Sequence, residues 1–253
     1  MRYLLWSAVF FLALGDSPGV RAQTEVTLIA PGGIQAPIEQ LIPEFERKTG
    51  YKVKATFGTG LATKKRVATG EVFDVPVVQP PYPEVLASGN VIAGSAKTLA
   101  SVAVAVAVRK GAPKPDISTP EAVKRTLLAA KSISYPDPAT GAAAGVTFDA
   151  TLKKLGISEQ VQAKLKRGQG GAGAMGLVAS GEVEIGLTFI SEMGVPGIDI
   201  VGDLPSEIAP PTSLVGFIST HAKDPAAAKA LLDFLSSPVA AGAYEAHRMQ
   251  PGR

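Results

Sequence analysis

The sequence predicts an α/β fold, and three observations carry that prediction. Short β-rich runs alternate with helical patterns from Glu25 onward, as βαβ units require. The junctions between them are dense in Gly, Pro, Ser and Thr, the residues that turn a chain or cap a helix. The 253 residues, 46% hydrophobic and 19% charged, suffice for one large domain or two smaller lobes with packed cores. No repeat of fixed period interrupts the alternation. Sheets that are mainly parallel are expected.

In chain order, "EVTLIA" reads as a strand that breaks off at Pro31-Gly32-Gly33. The next helix has Ile38, Leu41, Ile42 and Phe45 on one face, Pro37 in its first turn and Pro43 as an expected bend. Gly50 ends it, after Arg47 and Lys48 at the negative end of the dipole. "YKVKATFG" is a strand, "LATKKRVATGE" a helix, and "FDVPVVQP" a third strand broken by Pro76 and stopped by Pro80-Pro81. "SVAVAVAV" (101–108) reads as one buried strand. Ser118 or Thr119 caps a helix with Pro120 in its first turn. "SISYPDPATGAAAGVTFDATLKKLGI" repeats the opening order of strand, Pro/Gly turn and helix. "EVEIGLTFI", "GIDIVGDL" and "SLVGFIST" are further strands. Asp224 caps a last helix with an Ala227, Leu231 and Phe234 stripe.

Composition narrows the function. The net charge is +3 and the charges are scattered, so the focused basic face that nucleic-acid binding needs is missing. Cysteine is absent, which excludes disulfides, thiolate metal sites, a Cys nucleophile and a lipidated cysteine. "MRYLLWSAVFFLALGDSPGVRAQ" has Arg2, an apolar core from Tyr3 to Leu14, and small Val20 and Ala22 before a cut after Ala22. That is the pattern of a secretory signal peptide, residues 1–22, and its apolar run is too short for a membrane anchor. A soluble, exported, monomeric mature chain is expected, in the periplasm.

In open α/β sheets, ligands bind where strands hand over to helices. The loops at 30–34, 58–61, 78–81, 137–145 and 188–192 are therefore the candidates. Helix N-termini there attract anions. Gln79, at the end of its strand, has an amide that can donate to an anion.

Four segments carry a family resemblance. They are "APGGIQAPIEQLIPEFERKTGYKVKATFGTGLATKKRVATGEVFDVPVV", "YPDPATGAAAGVTFDATLKKLGI", "SGEVEIGLTFISE" and "DPAAAKALLDFLSSPVAAGAYE". Together they resemble the molybdate-type periplasmic solute-binding proteins of ABC importers, over nearly the whole mature chain. The resemblance implies a periplasmic binding protein type 2 fold, with two α/β lobes and a ligand cleft between them. Lobe 1 would comprise 23–105 plus 205–253, and lobe 2 residues 106–204. It also implies a small anionic ligand and an ABC permease as partners, with no cofactor and no metal.

The resemblance places ligand contacts at Gly32, Gly33, Thr59, Gly60, Thr140, Gly141, Ala142, Phe189 and Ser191. Where molybdate binders have paired serines this chain has Gly32-Gly33, and where they have a tyrosine it has Phe189. Thr59 keeps a hydroxyl, and Thr140 and Ser191 supply others. Two hydroxyl positions are lost, so a tetrahedral oxyanion fits poorly and a larger organic carboxylate fits better. The aconitate isomerases resemble the same binding proteins, and a periplasmic isomerase of an unsaturated tricarboxylate is the alternative. Its base would come from Asp74, Tyr82 or Glu192.

Other motifs lead elsewhere or nowhere. "GQGGAG" (168–173) matches G-x-G-x-x-G, but the preceding "VQAKLKR" reads as polar and helix-like, so the dinucleotide fingerprint lacks its strand. "GTGLATKKR" has the wrong spacing for a P-loop. His221 and His247 have no partner spacing for zinc, and no G-x-S-x-G elbow is present.

Overall fold

The computed structural model describes residues 24–252. The signal-peptide reading, residues 1–22, lies outside them. In chain order the first half of the chain contains β1 (Glu25–Pro31), α1 (Gln35–Thr49), β2 (Lys52–Gly58), α2 (Gly60–Ala68), β3 (Val75–Val78), α3 (Pro83–Ala87), β4 (Lys97–Val102), β5 (Val104–Arg109) and α4 (Pro120–Ala129). The second half contains β6 (Ile133–Pro136), α5 (Ala143–Leu155), α6 (Ser158–Val161), β7 (Leu165–Gly168), α7 (Gly170–Ala179), β8 (Ile185–Phe189), β9 (Ile198–Asp203), β10 (Thr212–Gly216), α8 (Pro225–Leu235), α9 (Pro238–Ala246) and β11 (Gln250–Pro251).

The strands form two sheets, one of order β11-β4-β10-β3-β1-β2 and one of order β7-β6-β8-β5-β9. Both are mixed, which corrects the expectation of mainly parallel sheets. The βα handovers give parallel pairs β1–β2, β1–β3, β6–β7 and β6–β8. Strands near the crossovers enter their sheet from the other lobe and pair antiparallel, as β10 does with β3 and β4 and β5 does with β8 and β9.

"SVAVAVAV" is also two strands rather than one. β4 ends in the first sheet at Val102, and β5 starts in the second at Val104. Ala103 is the whole connection, and its carbonyl accepts from the Ile190 amide. The return crossover lies beside it, with the Leu204 amide donating to the Val104 carbonyl. Each lobe thus has its own sheet and helices, joined by two adjacent extended segments.

Local chemistry explains most element ends. Gly50 takes φ 77° after α1, a left-handed value that costs a glycine nothing. Thr119 and Asp224 cap α4 and α8 by accepting first-turn amides, with Pro120 and Pro225 following. α1 buries Ile38, Leu41 and Phe45 as its apolar spacing requires, while Ile42 is half-buried and the helix runs through Pro43 without interruption. In α8, Leu235 takes the buried place expected of Phe234, which instead lies half-buried, 5.5 Å from the Phe45 ring.

Candidate functional site

A cavity of about 310 Å³ lies between the lobes. Four helices point their N-termini at it: α1 through Gly32, Gly33 and Gln35, α2 through Thr59 and Gly60, α5 through Ala142, Ala143 and Ala144, and α7 through Gly170 and Gly171. α1 and α2 belong to the first lobe, α5 and α7 to the second. Each N-terminus carries about half a positive charge, so the cavity is attractive to an anion although no Lys or Arg lines it.

Of the four polar side chains in this wall, Gln35 and Thr59 donate to Glu39 and to the Thr140 carbonyl, and two others are open to a ligand. Gln79 is 2% exposed, and neither its Oε1 nor its Nε2 has a partner among the described residues. It reaches the cavity because residue 60 is glycine: a Cβ there would sit 2.3 Å from Gln79 Oε1. A buried amide with neither atom satisfied costs about 1–3 kcal/mol, a cost that a bound polar ligand removes.

Glu192 is the second. It ends the 3-10 turn Ile190–Glu192 after β8, and Thr188 Oγ1 donates to its Oε2 at 2.5 Å. The carboxyl opens on the cavity and is otherwise surrounded by protein. That desolvation holds its pKa above the ordinary glutamate range, against the hydrogen bonds from Thr188 and the Phe189 amide. Gly171 makes room for it, since a Cβ at that position would sit 2.3 Å from Oε2.

Among the residues expected from the sequence, Gly32, Gly33, Thr59, Gly60, Gln79, Ala142 and Phe189 line the cavity together. Thr140, Gly141 and Ser191 do not. Thr140 Oγ1 donates to the Asp137 carbonyl at 2.7 Å. Gly141 faces a neighbouring depression beside Leu61 and Lys64. Ser191 Oγ donates to the Gly33 carbonyl at 2.7 Å. Thr59 reaches the cavity, but its hydroxyl accepts from Ala62 N as the cap of α2 and donates to the Thr140 carbonyl at 3.0 Å. Each of these three hydroxyls has one proton, and each gives it to a carbonyl of the protein.

Of the candidate bases, only Glu192 is in the cavity. Asp74 accepts from Thr27 N, Thr27 Oγ1 and Lys223 N, and so ties β1 to the segment before α8. Tyr82 packs edge-on against Phe217, ring centroids 5.5 Å apart. His221 and His247 contact Asn90 and Gln40, and no cluster of metal-ligating residues occurs among the described residues.

The segment 165–171 departs from its expected form. Leu165–Gly168 is a strand, not a helix end, and α7 starts within "GQGGAG". β7 is a short edge strand with exposed Lys166 and Arg167, so it shows no buried alternation to read. Its glycines serve close packing: a Cβ on Gly168 would lie 2.2 Å from Ala174 N. The second lobe's contribution at Gly170-Gly171 was missed for the same reason.

A family model described as "Bacterial extracellular solute-binding protein" matches residues 26–249. The chain belongs to the bacterial extracellular solute-binding proteins. Within that family it is 35% identical over 251 residues to a protein named aconitate isomerase from Pseudomonas sp., covering 95% of this chain and 94% of that one. It is 30% identical over 253 residues to the molybdate-binding protein ModA of Azotobacter vinelandii, covering 98% of each. The solved Azotobacter vinelandii periplasmic molybdate-binding protein superposes with a TM-score of 0.72 at 19% identity, covering 88% of this chain and 98% of that one. The two-lobe solute-binding fold is shared with it, and the cavity lies in the cleft between the lobes of that fold.

Proposed function

We propose that this protein captures a small organic carboxylate in the interlobe cavity, in the periplasm, and delivers it to an ABC permease. One observation carries the choice of ligand. The wall offers an unpartnered amide at Gln79 and a carboxyl at Glu192, while the hydroxyls of Thr59, Thr140 and Ser191 all donate to main-chain carbonyls. A tetrahedral dianion needs many donors and tolerates no carboxylate beside it. A planar carboxylate needs few donors, and it accepts readily from an amide and from a protonated carboxyl. The lobes would close about Ala103 and the segment 204–211, as a population shift toward the liganded state.

The test is a thermal-shift and calorimetric panel of molybdate, sulfate, phosphate and mono-, di- and tricarboxylates. Stabilisation by di- or tricarboxylates, with none by molybdate, is the expected result. Tight molybdate binding with no carboxylate bound overturns the reading.

A second reading is an isomerase of an unsaturated tricarboxylate. Two observations favour it: the 35% identity to an aconitate isomerase along nearly the whole chain, and Glu192 as the only ionisable side chain on the cavity wall among the described residues. The ionised carboxylate would take a proton from the methylene carbon of the substrate. The charge would spread through the double bond onto a substrate carboxylate, and the proton would return at the former vinyl carbon. Proton NMR of cis- and trans-aconitate with the protein decides it. Interconversion that rises with pH as Glu192 ionises, and that vanishes in Glu192→Gln, supports this reading; absence of turnover at every pH removes it for aconitate.

A further inference from the structure

We propose that the cavity binds its carboxylate together with one proton, held on Glu192, so that this side chain sets both the specificity and the pH dependence of binding. The inference rests on the carboxylate reading above and adds to it the protonation state in which the ligand is taken.

Among the described residues the lining has no cation, and its single ionisable group is an acid. Four helix N-termini supply partial positive charge, but a full negative charge on Glu192 beside a bound carboxylate would oppose it at close range. The protonated acid does the reverse. Thr188 Oγ1 donates to its Oε2, while Oε1 lies on the side of Gly32, toward the cavity, and is the oxygen placed to carry the proton to a ligand. A hydrogen bond from a carboxylic acid to a carboxylate is of the short, charge-assisted kind.

Gln79 contributes from the first lobe, with an amide that is 2% exposed and has no partner among the described residues. The ligand would thus be held between one donor from each lobe.

The groups that face Glu192 leave it without a compensating charge. α7 and β8 contain no ionisable side chain. Near the start of α1, Glu39 accepts from Gln35. From β7, Arg167 contacts Asp137 and the face of Tyr135. From α2, Lys64 donates to the Pro81 carbonyl and lies near Glu84. On α5, Asp149 accepts from the Tyr135 hydroxyl. None of these neutralises an ionised Glu192, so approach of an anionic ligand must raise its proton affinity further. Empty, the site can lose the proton as pH rises; occupied, it keeps it.

The experiment is calorimetric titration of the mature chain with propane-1,2,3-tricarboxylate, a saturated tricarboxylate that cannot isomerise. It is run from pH 5 to 9, in buffers of different ionisation enthalpy, with Glu192→Gln in parallel. The ligand's own carboxyls titrate alike in both experiments, so the difference belongs to Glu192. The native protein is expected to take up close to one proton more than the variant at alkaline pH, with affinity falling about tenfold per pH unit there. Glu192→Gln keeps an N–H donor, so its affinity stays flat over the same range once the ligand's own titration is subtracted. Equal slopes and equal proton counts overturn this inference and leave the carboxylate reading standing. Failure of every carboxylate to bind either protein overturns both. Carbon-13 observation of the Glu192 carboxyl in the protein saturated with propane-1,2,3-tricarboxylate is the second measurement: a carboxylate that is ionised in the complex at neutral pH overturns the inference.

Discussion

At the scale of single residues, three side-chain positions separate binding from folding. Gln79→Leu removes an amide that nothing in the protein satisfies. The variant should be about 1 kcal/mol more stable than the native chain by denaturant unfolding, because the desolvated amide is gone. Its affinity for a bound carboxylate should fall at least tenfold, the usual size of a lost hydrogen bond to a charged group. A destabilised Gln79→Leu would instead make the amide structural. Gly33→Val acts by volume. A Cβ there lies 3.1 Å from Phe189 Cδ2 and 4.0 Å from Gln79 Nε2, so a valine crowds two residues of the cavity wall. Ligand binding should be lost while the melting temperature of the empty protein changes by only a few degrees. Glu192 gives a pH prediction with a definite sign. Its pKa is raised in the folded state, so the folded chain binds the proton more tightly than the unfolded one. Stability is therefore undiminished below the ordinary glutamate value and declines as pH rises through the higher folded value. Glu192→Gln, with no proton to lose, should show a flatter melting curve against pH and a higher melting temperature than the native chain at pH 8.

At the scale of elements, two facing turns work as a latch. The turn Gly32–Ile34 belongs to the first lobe and Ile190–Glu192 to the second, and the bond from Ser191 Oγ to the Gly33 carbonyl joins them. The bond from Thr59 Oγ1 to the Thr140 carbonyl and that from Leu61 N to the Gly141 carbonyl, at 3.3 Å, close the other side. Ser191→Ala should weaken ligand binding by about fivefold, the worth of one net hydrogen bond near 1 kcal/mol, without altering the cavity wall. Calorimetry measures it, and an unchanged affinity would show that the bond survives equally in the open state. These elements also show what a sequence does and does not display. Helix periods, caps and the Pro/Gly breaks were legible, because each depends on neighbours within one turn of chain. Gly32-Gly33, Thr59-Gly60 and Gln79 could be placed at strand ends for the same reason. The break at Ala103 could not, because an alternating Ala/Val run has no local mark where it leaves one sheet for another. The role of Ser191 was hidden too, because its hydroxyl finds the Gly33 carbonyl, 158 residues away, only in three dimensions; Thr140 instead bonds back to Asp137 within its own turn. Glu192 was one of three candidate bases that the sequence could not separate, because its place in the cavity depends on the room left by Gly171 and the hydrogen bond from Thr188.

At the scale of the whole molecule, the two lobes are tied by two short crossovers and by whatever occupies the space between them. A ligand that touches both Gln79 and Glu192 binds the closed arrangement and not the open one, so its binding free energy appears as closure. The same linkage makes it appear as stability. At a free ligand concentration of one hundred times Kd, the folded protein gains about 2.7 kcal/mol, which for a chain of this size is a rise of roughly 5–11 °C in melting temperature. Small-angle scattering should show a smaller radius of gyration over the same concentrations. The two readouts must move together, because one population shift produces both. Glu192→Gln sharpens the prediction. Below the ordinary glutamate range the native carboxyl is protonated and the two proteins should show matching shifts. Toward pH 9 the native chain must recover a proton to close, so its ligand-induced shift should shrink while that of the variant persists. A native shift that stayed constant across this range would mean that closure proceeds over an ionised Glu192. The positive ends of α1, α2, α5 and α7 would then have to offset two adjacent negative charges without a cation in the wall.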